Sequence, residues 1–333
     1  MNAMIKVDVP AAEAIGEAKL RFDVKALELA YIRIQVPNLD EAERFFNTFG
    51  LRTRAREGGR LYLHGTGPEH HLIVAHEGEQ RLLALAYELP QATDLDRAAR
   101  LPGASAISPL DDLAGGSCVT LVDPDGNRVE VVHGQAICAP VDVPKQMFNS
   151  AAERFRRKNA VVRPIVGPSN VLRLGHVVIR SPDVASLRDW YRDMLGLLES
   201  DDVPAPDGDG LLMSFVRLDQ GETPVDHHVM QILKGGKNQI HHISFEVQDI
   251  DDLYVGHEAM RTAGFRHMWG IGRHVQGSQI FDYWIDPFGV MYEHWTDTDM
   301  LDSSVPKGVT DLQDMHMPWG PPMPDNFIAH GSH

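Results

Sequence analysis

The chain has 333 residues, 43% of them hydrophobic and 23% charged, an ordinary globular composition that is too long for one usual core, so two domains are expected. Its net charge of −16 excludes nucleic acid and anionic membrane as partners, since both need a basic face. Only Cys118 and Cys138 are present, which excludes a disulfide framework and a thiolate metal cage. Residues 1–6 carry no apolar core of signal-peptide length, and no run approaches 18 apolar residues; a cytoplasmic protein without membrane spans is the expectation.

In chain order, residues 29–37 read as a strand ending at Pro37, followed by an amphipathic helix from Asn38 to Phe46 and a stop at Gly50. Residues 83–89 are a second strand, and residues 116–122 and 129–132 are two short strands joined by the turn Asp123, Pro124, Asp125, Gly126. A linker from Gly134 to Arg173 is expected to carry a helix near Ala151–Lys158, whose basic run from Arg154 to Lys158 reads as a solvated face. Residues 174–182 then repeat the opening pattern: a strand ending at Pro182, a helix from Asp183 to Tyr191 and a stop at Gly196. Strands follow around residues 227–232 and 240–247, and residues 278–285 run through the turn Asp286, Pro287, Phe288, Gly289 to 290–295. The loop 201–210 reads as a solvated acidic turn in preference to a lid. Beyond Thr298, Pro306, Pro318, Pro321, Pro322 and Pro324 mark an extended arm on the surface.

The repetition of both patterns implies an α+β protein of four βαβββ units near 29–78, 80–133, 174–233 and 240–296, two per domain. The expected division is an N-terminal domain over 1–133, a linker over 134–173, a second domain over 174–300 and a Pro-rich tail over 301–333.

His176 and His242 begin apolar runs, and Glu293 follows the second of the two Asp-Pro turns. Two imidazoles and one carboxylate on one face of an ion leave the opposite positions open, the arrangement of non-heme Fe(II) oxygenases. With 17 histidines, chance pairs are expected, so the conjunction on a repeated scaffold carries the reading. Neighbouring strand residues face opposite ways, so only one of His241 and His242 can meet the ion. In the earlier copy Tyr31 stands at the place of His176, Ala84 at that of His242, and Glu130 at that of Glu293. A lone carboxylate cannot hold an iron; the first domain is therefore without metal ligands and serves as scaffold, pocket lid or oligomer surface.

The stretch from Gly272 to Gly289, followed by Tyr292, Glu293, His294 and Trp295, resembles the type I extradiol ring-cleavage dioxygenases, those acting on catechols or 2,3-dihydroxybiphenyl, of the vicinal oxygen chelate superfamily. The similarity covers most of the chain in layout and is at motif level from about 174 to 296. It implies paired modules curled into partly open barrels, with Fe(II), or alternatively Mn(II), in the second domain. By position, His176, His242 and Glu293 would be the ligands, His242 being chosen because the family uses the latter of a His-His pair. His228 would be the acid/base histidine, with His227 as its rival, and His274 and Tyr283 would hydrogen-bond a substrate oxygen. The substrates would be a catechol-type diol and O2, giving ring cleavage next to the diol, and a homo-oligomer is implied. Strand alternation nominates Val178, Met230 and Ser244 as pocket walls. Arg273 could steer a substrate carboxylate or pair with Asp282. Two rivals are a metal-dependent glyoxalase-type isomerase, which needs a fourth protein ligand that neither Tyr31 nor Ser244 offers, and a non-catalytic aromatic-ligand binder of the same fold. The identity of the catechol is open at this stage.

Overall fold

In the computed structural model, residues 23–143 and 147–331 are described. Residues 1–22 of the expected first domain, 144–146 of the linker and 332–333 of the tail lie outside them.

The first unit runs β1 (Glu28–Val36), α1 (Leu39–Phe49), β2 (Arg52–Glu57), β3 (Arg60–His64) and β4 (Ile73–Glu77). The second runs β5 (Arg81–Glu88), α2 (Ala92–Ala98), β6 (Ser108–Pro109), β7 (Ser117–Val122) and β8 (Arg128–His133). The third is β9 (Val171–Ser181), α3 (Val184–Leu195), β10 (Leu198–Pro204), β11 (Leu211–Arg217), the short β12 (Val225–Asp226) and β13 (Met230–Lys234). The fourth is β14 (Ile240–Val247), α4 (Ile250–Thr262), β15 (Arg266–Arg273), β16 (Ile280–Ile285) and β17 (Met291–Thr296).

Two mixed sheets result, ordered β2-β3-β4-β1-β5-β8-β7-β6 and β15-β16-β17-β14-β9-β13-β11-β10. In each sheet the first strands of the two units pair antiparallel at the centre, and each unit's last strand runs parallel to its first. The same order twice over is the structural form of the repeat read in the sequence.

The helices form where the sequence caps them. The Asn38 side chain accepts from the backbone N–H of Asp40 and Glu41, and Gly50 closes α1 in the left-handed conformation at φ 118°. A Cβ at Gly50 would also meet the Ser169 carbonyl oxygen, so glycine is needed there for two reasons. Asp183 caps α3 through the Ser186 N–H, and Gly196 ends it at φ 69°.

The buried face of α1, with Phe45, Phe46 and Phe49, rests on the second sheet rather than only on its own. Phe45 and Phe46 lie 5.4 and 5.1 Å from the Tyr292 ring, and Phe49 stacks at 3.6 Å on His294. One apolar cluster therefore runs from Ile32 and Leu85 of the first sheet through to Ile243 and Tyr292 of the second. The two halves share a core.

Two expectations need correction. Residues 151–158 form turns and bends, not a helix: Phe155 is their one large apolar side chain and is 79% exposed, so no apolar stripe offsets the cost of nucleating a short helix. The tail is more than a surface arm. Its first part adds β18 (Met300–Leu301) beside β12 and β19 (Gly308–Val309) beside β10. Its last part is tied down by Arg273 N–H to the Trp319 carbonyl at 3.0 Å, Trp269 Nε1–H to the Pro321 carbonyl at 2.9 Å, and Arg180 to the carbonyls of Ile328 and His330. Among the described residues no helix is long and apolar enough to cross a membrane, and Cys118 and Cys138 are free.

Candidate metal centre

Three central strands of the second sheet build the site. The register sets Ser244 of β14 opposite both His176 of β9 and Glu293 of β17, and His242 stands two residues before Ser244 on the same face of β14. His176 Nε2 is 3.1 Å and His242 Nε2 3.3 Å from the same Glu293 oxygen, Oε2, and the two imidazole nitrogens are 3.4 Å apart. Ions bonded at about 2.1 Å hold adjacent ligand atoms about 3.0 Å apart at right angles and about 3.4 Å at tetrahedral angles. The three atoms thus already stand at the spacing of neighbouring ligands on one ion. All three residues are buried, Glu293 completely, and its Oε1 makes no hydrogen bond. A desolvated carboxylate with an unsatisfied oxygen fits a bound cation.

The surroundings fix the ligands' orientations. Ser244 donates to Glu293 Oε2 at 2.6 Å. His241 Nε2 is 2.9 Å from the Phe327 carbonyl, so it carries a proton, and the unprotonated Nδ1 of His241 accepts from His242 Nδ1–H at 2.8 Å. That leaves the lone pair of His242 Nε2 facing the centre, the tautomer a metal ligand needs. Burial depresses the basicity of His242 to about 4, only partly opposed by Glu293. Gly175, just before His176, leaves room for the Trp295 indole, whose Nε1 would lie 2.4 Å from a Cβ there.

His228 lines the same cavity, its ring 4.2 Å from that of His176. Burial, reinforced by His176 and His227, holds it well below the usual imidazole range and therefore neutral. His227 is turned the other way, with Nε2 2.7 Å from Asp201. On another flank Tyr283 OH and His274 Nε2 are 2.8 Å apart, and His274 Nε2 lies 3.6 Å from Glu293 Oε1. Burial first, then the Glu293 charge, keeps the Tyr283 hydroxyl protonated far into alkali.

The cavity measures about 570 Å³, within the range of small-molecule sites. Its walls include Leu212, Met213, Phe215, Leu233 and Trp269 from the sheet and Met315, Met317, Met323 and Phe327 from the tail. None of the described residues that line it is Lys, Arg, Asp or Glu.

The expected wall residues fall elsewhere. Val178 is packed beneath the wall against Met213, Phe215 and Leu233, and Met230 lies in the main core beside Val177. Alternation fails from His228 to Met230 because β13 starts only at Met230, so no regular strand links the two. Gln231 and Leu233 face the cavity instead. Ser244 touches Glu293 and is not on the wall. Arg273 neither reaches the cavity nor pairs with Asp282; it bonds Asp297 at 2.7 Å and the Ser278 carbonyl. Pro206 brings the 201–210 loop to the cavity rim, contrary to its reading as a merely solvated turn. No local periodicity announced the tail's share of the wall.

The first sheet repeats the row with different residues: Tyr31 faces Ala86, which faces Glu130. Arg33 Nε lies 2.8 Å from Glu130 Oε2 and Tyr31 OH 2.6 Å from the same oxygen, so a guanidinium neutralises that carboxylate.

Residues 173–293 match the model of the glyoxalase/bleomycin resistance protein/dioxygenase superfamily. The chain is 32% identical to Metapyrocatechase 2 of Cupriavidus necator over 98% of both proteins. It is 24% identical to a manganese-dependent 2,3-dihydroxybiphenyl 1,2-dioxygenase of Geobacillus genomosp. 3 over 78% of this chain and 81% of that protein. Among solved structures, homoprotocatechuate 2,3-dioxygenase of Brevibacterium fuscum in its 3,4-dihydroxyphenylacetate complex superposes with a TM-score of 0.75 at 18% identity, covering 94% of this chain and 95% of that one.

Proposed function

The chain belongs to the extradiol ring-cleavage dioxygenases of the glyoxalase/bleomycin resistance protein/dioxygenase superfamily, and on that premise we propose that it opens a catechol-type ring next to the diol with O2, at a metal held by His176, His242 and Glu293. The observation that carries this reading is the ligand-like spacing of those three groups at the wall of a cavity lined by His176, His242, His228, His274 and Tyr283. We assign Fe(II) as the working ion; Mn(II) accepts the same donors. When bound, the ion supplies a meeting point for the diol and O2 and favours ionised diol oxygens.

The chain's own groups do the rest. His228, neutral and desolvated, takes a proton at one nitrogen as the diol ionises and returns it to oxygen during cleavage. Tyr283 donates a hydrogen bond to a substrate oxygen, and His274 supports it through the 2.8 Å contact. The apolar walls and the tail exclude water and leave the ring a slot to enter. The absence of charged side chains from the described lining favours catechols whose substituents are alkyl or aryl and uncharged. The two free cysteines support a reducing, cytoplasmic setting, and a homo-oligomer completes the reading; a sedimentation mass that is a multiple of 37.0 kDa checks it.

The test is anaerobic addition of substituted catechols to Fe(II)-loaded protein, then an O2 pulse. The expected outcome is a yellow 2-hydroxymuconic-semialdehyde-type product, with kcat/KM at least about tenfold higher for alkyl- or aryl-catechols than for carboxylated ones. Tight binding of the aromatic without O2 uptake would favour a binding protein, and turnover of a hemithioacetal without O2 would favour an isomerase.

A further inference from the structure

We propose that His257, His267 and Asp282 form a second divalent transition-metal site, outside the cavity and on the opposite face of β16 from Tyr283. The claim is independent of the ring-cleavage reaction. Alternation along β16 sends Tyr283 to the cavity and its neighbours Asp282 and Trp284 to the side covered by α4. There α4 places His257 Nδ1 3.2 and 3.0 Å from the two Asp282 oxygens, and β15 places His267 Nε2 2.8 Å from Oδ1. The three donor atoms lie within 4.8 Å of one another, and the nitrogen-to-oxygen distances are again those of adjacent ligands on one ion.

A metal site has four further requirements beyond ligand identity and distance, and this one meets them. The carboxylate is oriented, because Trp284 Nε1–H donates to Oδ2 at 2.6 Å, while Oδ1 faces His267 and both oxygens face His257. Its charge must be balanced, by an imidazolium or by a bound ion, because Asp282 has no solvent exposure and, among the described residues, its ion partners are only the two histidines. An entry path exists, since the His267 side chain is 33% exposed and that of His257 19%. Open coordination positions face solvent and can be filled by water. Two imidazoles and one carboxylate suit Zn(II), Co(II) or Ni(II), and an exposed site takes the later metals of the series most tightly. An ion there would tie α4 and β15 to the strand that carries Tyr283.

The experiment uses protein already loaded with its cavity metal and freed of loosely bound ions. Titration with Co(II), followed by visible absorption, and with Zn(II), followed by calorimetry, should each reveal one further equivalent per chain and a raised Tm. His267→Ala and His257→Ala should each weaken that equivalent at least about tenfold, while the cavity metal is retained as proof of folding. His316→Ala, in the tail, should leave it unchanged. Should the variants fold poorly, wild-type protein decides: Zn(II) should protect His257 and His267 from diethyl pyrocarbonate. No further equivalent in the wild type, an affinity unchanged from wild type in both variants, or no protection would each overturn the site.

Discussion

His228 stands neutral at the cavity because burial disfavours its charged form, so it can act as a base without first losing a proton. Replacing it by Phe should lower kcat by about 10²- to 10⁴-fold while metal content and anaerobic catechol affinity stay near wild type; loss of metal instead would make it structural. His241 acts through its neighbour. His241→Leu removes the acceptor for His242 Nδ1–H and should weaken metal binding about 10- to 100-fold by chelator competition, whereas His241→Asn, which keeps an acceptor there, should recover much of it. The three candidate ligands were legible in the sequence because each sits in a strand bounded by clear turn markers; alternation allows only one of His241 and His242, and the family resemblance chose His242. The choice between His227 and His228 was not legible, since the chain between β12 and β13 is irregular and has no period to follow. The same irregularity misplaced Met230.

Between β9 and β17, close packing of Gly175 on Trp295 sets how His176 meets the centre. Gly175→Ala forces an indole or a strand to move, and should cost about 1–3 kcal/mol in chemical denaturation together with a fall in metal affinity. The tail is a second element with a measurable task. Ending the chain before Leu312 removes Met315, Met317, Met323 and Phe327 from the wall and Phe327 from His241. The expected outcome is a KM for alkyl-catechols raised at least about tenfold, with a much smaller change for catechol itself. Proline spacing announced an extended segment, yet its destination depends on contacts with strands far back in the chain, which composition does not encode. The helix expected near Ala151–Lys158 failed for the converse reason: favourable local residues had nothing to pack against.

For the whole molecule, the shared core means that the sheets should unfold together. Phe45→Ala, although it lies in α1 of the half without candidate ligands, should destabilise by about 3–5 kcal/mol and keep one transition by both circular dichroism and Trp fluorescence; two separated transitions would contradict a common core. Acid sensitivity is also global. His294, buried against Phe49, has its basicity lowered to about 4 by burial, against about 6.5 in the unfolded chain. Unfolding therefore takes up a proton, and stability is full above pH 6.5 and lost as pH falls from 6.5 toward 4. Between pH 7 and 5 this amounts to about 2 kcal/mol, and His294→Gln should flatten that part of the stability curve. The repeat and the chain order of the units were legible at this scale; the welding of α1 to the far sheet was not, because an amphipathic stripe states that a face is buried but not against what.

Arg33 gives the two sheets different dependence on their surroundings. In one, on the proposed reading, the counter-charge would be an ion drawn from solution, which chelators, oxidants and scarcity can all remove. In the other, it is part of the polypeptide and arrives with every newly made molecule. Stripping the enzyme of metal should therefore leave half the fold electrostatically complete, a ready-made template against which the emptied half keeps its shape until the ion returns.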